Sequence, residues 1–144
     1  MRIVASSTRP IVRGFTLMEV LIALVIVAAL AALAIPNYTE YVNRGYRSDA
    51  RAALLLAAQW QERFRTENNA YSSTLPASFA AVPASGTARY TVAVSQPGGS
   101  QTFLLTATRT GPQASDSCGD FTLDHLGTRG TVGASRPVDE CWAR

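Results

Sequence analysis

The stretch from Gly14 to Pro36, GFTLMEVLIALVIVAALAALAIP, decides the fold of this chain. Between those two residues the one charged side chain is Glu19. As a helix the run spans roughly 30 Å, about the thickness of one hydrocarbon core. A single segment inside a bilayer has no water to satisfy its backbone and must be helical. Before it stands a short basic leader, MRIVASSTRPIVRG, and after it the chain is soluble in character. The pattern predicts a globular head carried on a long apolar stalk.

Charge must be read by position. The 144 residues carry a formal net charge of +3 and a pI near 9.2, values that invite a nucleic-acid reading. Three of the 13 arginines, Arg2, Arg9 and Arg13, precede Gly14, and the 10 that remain equal the 10 Asp plus Glu. The basic bias therefore belongs to residues 1–14 and not to the rest. Those residues lack the apolar core of a secretory signal, and no A-x-A pattern follows the apolar run. The three arginines would stay cytoplasmic under the positive-inside rule, with the head on the other side of the membrane. Such a compartment permits a disulfide between Cys118 and Cys141, worth about 3–4 kcal/mol by chain entropy; the alternative is two buried thiols.

Glu19 is the oddity of the run. A carboxylate at the centre of a membrane helix costs about 2.5–3.5 kcal/mol, and less near an end. It is either an interfacial residue snorkelling to the headgroups or a carboxylate awaiting a cationic partner. Ala28, Ala29, Ala31, Ala32 and Ala34 allow close approach of neighbouring helices. Pro36 interrupts the backbone bonding and should kink the helix without ending it.

Gly14-Phe15-Thr16-Leu17-Met18-Glu19 followed by an apolar run resembles the processing motif of type IV prepilins. The resemblance implies cleavage between Gly14 and Phe15 by a prepilin peptidase and N-methylation of Phe15. It also gives Glu19 a partner. Cleavage exposes an ammonium on Phe15, and Glu19 of one subunit can neutralise the Phe15 ammonium of its neighbour, which removes two membrane charges together. CGDFTLDHLGTRG (118–130) followed by Cys141-Trp142 resembles the C-terminal disulfide-bounded region of PilE-like type IV pilins, a group that includes minor pilins.

The rest of the chain is consistent with that architecture. Residues 37–67 read as a helix that leaves the membrane past Tyr38 and Tyr41. Its core face is predicted as Ala53, Leu56, Ala57, Trp60 and Phe64 from their i, i+3, i+4 spacing, with a stop at Asn68-Asn69. Residues 68–88 read as a long loop. Residues 89–96 and 101–109 form a hairpin about the turn 97–100. Residues 118–123 and 128–132 are two further strands, and the tail is loop. The expected fold class is α+β, with the apolar half of a long helix protruding and its other half packed on a small antiparallel sheet. The domain organisation is 1–14 leader, 15–36 transmembrane and assembly helix, and 37–144 head.

Other chemistry is weakly represented. His125 stands in a predicted turn without a nucleophile motif and reads as a surface residue. Asp116, Asp120, Asp124 and Asp139 are a candidate calcium set whose spacing departs from an EF-hand loop. Arg89, Arg109, Arg129 and Arg136 are a candidate nucleic-acid footprint, weak in a neutral head. No cofactor and no enzymatic activity are expected. By resemblance the chain is a structural subunit of a type IV pilus serving adhesion, twitching motility or DNA uptake. It would sit in the inner membrane before assembly and in an extracellular pilus afterwards. Its partners would be the peptidase, the assembly platform and other pilins. The alternatives are a type II secretion pseudopilin and a DNA-uptake receptor.

Overall fold

Helix α1 runs unbroken from Leu17 to Asn68 in a computed structural model that describes residues 14–143. The leader arginines Arg2, Arg9 and Arg13 lie outside the described residues. The chain divides after Tyr38 into two units. In the first, the side chains from Phe15 to Ile35 are almost all exposed, with Phe15 at 82% and Leu33 at 70%. This is the one helical window among the described residues apolar and long enough to cross a membrane. The helix continues past Pro36, and the Asn37 side-chain amide donates to the Leu33 carbonyl at 3.1 Å, next to the bond the proline ring removes.

The second unit is an α+β head. Strands β1 (Ala81–Val82), β2 (Tyr90–Ser95), β3 (Leu104–Arg109), β4 (Asp120–Asp124) and β5 (Arg129–Val132) form one antiparallel sheet in sequential order. Tyr90 lies opposite Arg109, Leu105 opposite Leu123, and Phe121 opposite Thr131. Alternation sends Tyr90 and Val92, then Leu105 and Ala107, then Phe121 and Leu123 to the core. A short helix, α2 (Val138–Trp142), closes the chain where the sequence predicts loop. Its start has local signals, Pro137 as cap and Asp139 and Glu140 in the first turn.

The face of α1 turned to the core differs from the predicted one. Ala57 is buried as expected, but Leu56 is 55% exposed and Trp60 and Phe64 are half-buried. The buried line is Arg47, Ala50, Leu54, Ala57 and Gln61. The segment AALLLAAQW is apolar all round, so its periodicity fits more than one face. The line the fold selects includes two polar residues whose partners lie outside the helix. Gln61 exchanges two hydrogen bonds of 2.9 Å with the backbone of Ser72. That exchange, a bond from the Gln96 amide to the Tyr71 carbonyl, and Tyr71 stacked edge-on against Phe103 tie down residues 68–88. The same stretch holds a single 3-10 turn (Ala77–Phe79) and β1, so it is more structured than a loop.

The helix stop is as predicted. Asn69 adopts a positive φ of 56°, the left-handed conformation that asparagine tolerates after a helix. Gly119 has φ 67° and leaves no room for a Cβ against the Val132 carbonyl, so only glycine lets β4 start beside the end of β5. The Trp142 indole N–H donates to the Gly130 carbonyl at 3.0 Å, which fixes α2 beside β5.

Tyr90 is fully buried beside the Gln113 side chain, and among the described residues its hydroxyl makes no hydrogen bond within 3.5 Å. Burial, then the nearby Asp116 carboxylate, pushes its pKa up to about 12 from 10.0. The head therefore holds a neutral phenol where the unfolded chain would ionise, and this stabilisation is lost as pH rises from 10 towards 12. Tyr90→Phe removes one polar atom beside the buried Gln113 side chain and should change stability near neutrality by no more than about 1 kcal/mol. It should also flatten the alkaline loss. Chemical denaturation of wild type and variant at pH 7 and at alkaline pH checks both; equal alkaline slopes would contradict the assignment.

Candidate assembly site

The stalk begins with a cap. The Thr16 carbonyl and hydroxyl oxygens both accept from the Glu19 N–H, at 3.1 and 3.2 Å, and the carbonyl also accepts from Val20 at 3.2 Å. Thr16-x-x-Glu19 is the capping-box spacing, and Glu19 falls in the first turn, where the helix dipole favours an anion. The sequence carries this signal. It gives Glu19 a local role in starting the helix and leaves its carboxylate exposed. Gly14 has no described neighbour where a Cβ would stand, and Phe15 projects freely. Gly14, Phe15 and Glu19 thus stand together at the exposed start of α1, and Pro36 lies within the helix.

The base of the head is organised by one buried ion pair that the sequence does not advertise. Arg47 and Asp116 are 69 residues apart. The Arg47 guanidinium donates to both Asp116 carboxylate oxygens, at 3.0 Å from Nε to each and 2.7 Å from Nη2 to Oδ2. A second carboxylate, Glu40, accepts from Arg47 at 3.0 Å and stands within 3.6 Å of Arg44 and 3.5 Å of Arg136. Burial alone would lower the Arg47 pKa, but hydrogen bonds to Asp116 and Glu40 hold it above its ordinary value. Asp116 also accepts from the Gln113 amide at 2.9 Å and the Cys118 N–H at 2.8 Å.

The Cys118–Cys141 disulfide is formed and buried, and ties α2 to the start of β4. Arg51 donates to the carbonyls of Cys141 and Ala143, which brings the same tail to α1. Burial, then the neighbouring Arg47 and Arg129, lowers the Arg51 pKa.

The remaining candidates are dispersed. Asp116 is spent on Arg47, Asp120 pairs with Arg109 at 3.6 Å, and Asp124 caps the β4–β5 turn. Among the described residues, no three His, Cys, Asp or Glu are grouped to hold a metal. The four candidate arginines do not share a patch. Arg89 lies over the Tyr46 ring, Arg109 bonds the carbonyls of Asp116 and Gly133, Arg129 lies over Trp142, and Arg136 faces Glu40. His125 is not a plain surface residue: it is partly buried, edge-on to Tyr71 and Phe103.

This architecture, an exposed apolar helix capped by threonine and a head closed by a C-terminal disulfide, is that of the type IV pilins. The chain belongs to that family: the model described as "Type IV minor pilin ComP, DNA uptake sequence receptor" matches residues 36–122, more than half of the sequence. The model of the prokaryotic N-terminal methylation motif matches residues 9–35. The chain is 40% identical over 60 residues to the type IV major pilin protein PilA of Myxococcus xanthus, covering 42% of this chain and 27% of that protein. It is 41% identical over 61 residues to the type IV wide pilus major component PilA4 of Thermus thermophilus, covering 42% of this chain and 47% of that one. The chain thus spans less than half the length of these curated relatives. A solved type IV pilin from Shewanella oneidensis superposes with a TM-score of 0.52 at 28% identity, over 71% of this chain and 99% of that one.

The buried pair sets an expectation for the head. Arg47→Met leaves Asp116 charged and buried without its cation, and should cost about 3–5 kcal/mol. Arg47→Lys keeps the charge but not the two-pronged geometry and should lose less. Denaturant midpoints of the full chain in detergent provide the check; a loss under about 1 kcal/mol for Arg47→Met would refute the role given to the pair.

Proposed function

We propose that this chain is a structural subunit of a type IV pilus and acts by assembly, not by catalysis. The observation that carries the reading is the stalk: an exposed apolar helix from Phe15 to Ile35 whose one charge, Glu19, stands one turn from Phe15. Exposed in water such a surface is untenable, and it needs either a bilayer or neighbouring helices. A filament subunit uses both in turn. Before assembly the stalk spans the inner membrane with residues 1–14 on the cytoplasmic side. A prepilin peptidase cuts between Gly14 and Phe15, and Phe15 is N-methylated. An assembly platform then moves the subunit into a filament, where stalks pack on one another and Glu19 neutralises the Phe15 ammonium of a neighbour.

A second reading is favoured by one observation. The family model that matches residues 36–122 is described as that of a DNA uptake sequence receptor. A head displayed on a filament could add such a role without losing the structural one. The four candidate arginines would then have to bind phosphate while engaged within the head. Binding of duplex DNA by the full chain in detergent, measured against salt, separates the readings, since phosphate contacts weaken steeply as salt rises.

Mass spectrometry of fibres sheared from the native host tests the main reading. The expected species begins at N-methyl-Phe15 and is two hydrogens lighter than the reduced chain. Residues 1–14 still attached in a chain confined to membranes would overturn it. Glu19→Ala should leave membrane insertion and cleavage nearly unchanged while lowering the amount in fibres at least ~tenfold, the effect of leaving an ammonium unpaired among apolar helices.

A further inference from the structure

Within the second unit, a hollow of about 850 Å³ opens between α1 and the C-terminal tail. Its charged lining is Arg44, Arg47, Arg51 and Arg136 against Glu40 and Glu140. Asp116 stands behind Arg47 and is spent on it. Four guanidiniums therefore meet three carboxylates, and one positive charge is left in excess.

The hydrogen bonds are shared unequally. Glu40 turns both carboxylate oxygens to Arg47, at 3.0 and 3.4 Å. Arg44 and Arg136 approach the same carboxylate only to 3.6 and 3.5 Å, close enough for attraction but too far for a good hydrogen bond. Their side chains are 70% and 43% exposed, so two guanidinium forks line the hollow with donors to spare. Among the described residues Arg51 donates to backbone carbonyls alone, those of Arg47, Cys141 and Ala143. Its pKa is lowered by burial and then by the cations Arg47 and Arg129, the mark of a positive field. The exposed Glu140 carboxylate is ion-paired with none of the four lining arginines.

The place in the sequence is informative. Glu40 and Tyr41 follow Pro36 by four and five residues, where the chain leaves the apolar run. Tyr41 lines the hollow and is 74% exposed, as an aromatic at the level of lipid headgroups would be.

We propose that this hollow holds the headgroup of an anionic glycerophospholipid of the phosphatidylglycerol class while the chain resides in the membrane. Arg44 and Arg136 donate to the phosphate oxygens, which suit the guanidinium fork. The Glu140 carboxylate accepts from the glycerol hydroxyls. A phosphodiester brings the single negative charge that the hollow lacks. A free phosphate monoester brings roughly two and meets Glu140 as a like charge. The inference rests on the membrane stage of the reading above.

The test uses the full chain in nanodiscs of phosphatidylglycerol and phosphatidylcholine in equal parts, with the retained lipids counted by native mass spectrometry. Wild type should retain phosphatidylglycerol at least ~tenfold over phosphatidylcholine, and Arg44→Gln/Arg136→Gln should retain the two alike. Arg63→Gln/Arg89→Gln removes the same charge elsewhere on the head and should keep the wild-type preference. Phosphatidylglycerol with a photoreactive headgroup, which probes the site without altering the chain, should cross-link to residues 40–51 or 136–143. No preference in wild type, an equal loss in both double variants, or cross-links confined to residues 15–35 would overturn the site and leave the membrane stage standing. Displacement of the lipid by millimolar inorganic phosphate would make it a site for the free ion and overturn the lipid assignment. A chain that enters discs of neither lipid overturns the membrane stage, and this site with it.

Discussion

The head depends on a single buried carboxylate. Asp116 receives the guanidinium of Arg47, the side-chain amide of Gln113 and the backbone N–H of Cys118. It thereby fixes, at one point, the helix, the turn that leaves β3 and the residue that forms the disulfide. Desolvating this pair is expensive, and a well-packed apolar substitute could be as stable. What the pair supplies is position: α1 has one register along the sheet in which Arg47 meets Asp116. Because the neighbouring side of α1 is also apolar, hydrophobic burial alone would leave that register and rotation poorly defined.

The same fact explains how far the sequence could be read. The stalk is legible because an apolar run with one carboxylate is a rare pattern with few physical solutions. Most of the sheet is legible too, since β2, β3 and β4 alternate and the strands are punctuated by glycine and proline. The core face of α1 is not, because AALLLAAQW offers apolar side chains in every direction and the deciding residues, Arg47 and Gln61, are polar. Asp116 is 69 residues from Arg47, Ser72 lies past the end of the helix that holds Gln61, and nothing local marks either partner. Strand β1 is two residues long and exists only through its pairing with β2. Helix α2 had signals in Pro137, Asp139 and Glu140, but five residues are too few for periodicity to help.

The candidate functional residues divide along the same line. Gly14, Phe15 and Glu19 follow from a contiguous motif, and Thr16-x-x-Glu19 adds a cap readable from spacing alone. The cysteines are few enough that pairing follows once the compartment is settled. The four candidate arginines mislead when counted, because each is engaged with a carboxylate, a carbonyl or an aromatic ring. Their number says little about a partner until their neighbours are known.

The tryptophan beside β5 has a wider consequence. Trp142 packs edge-on against Phe121 and donates to the Gly130 carbonyl, and the disulfide of the adjoining Cys141 holds it there. The last helix is thus stapled to the last strand by a covalent bond one residue from the indole. Reduction would release both the helix and the ring, and would uncover the Phe121 side of the sheet. The oxidising compartment that permits this bond is therefore a condition for the finished head as well as for its location.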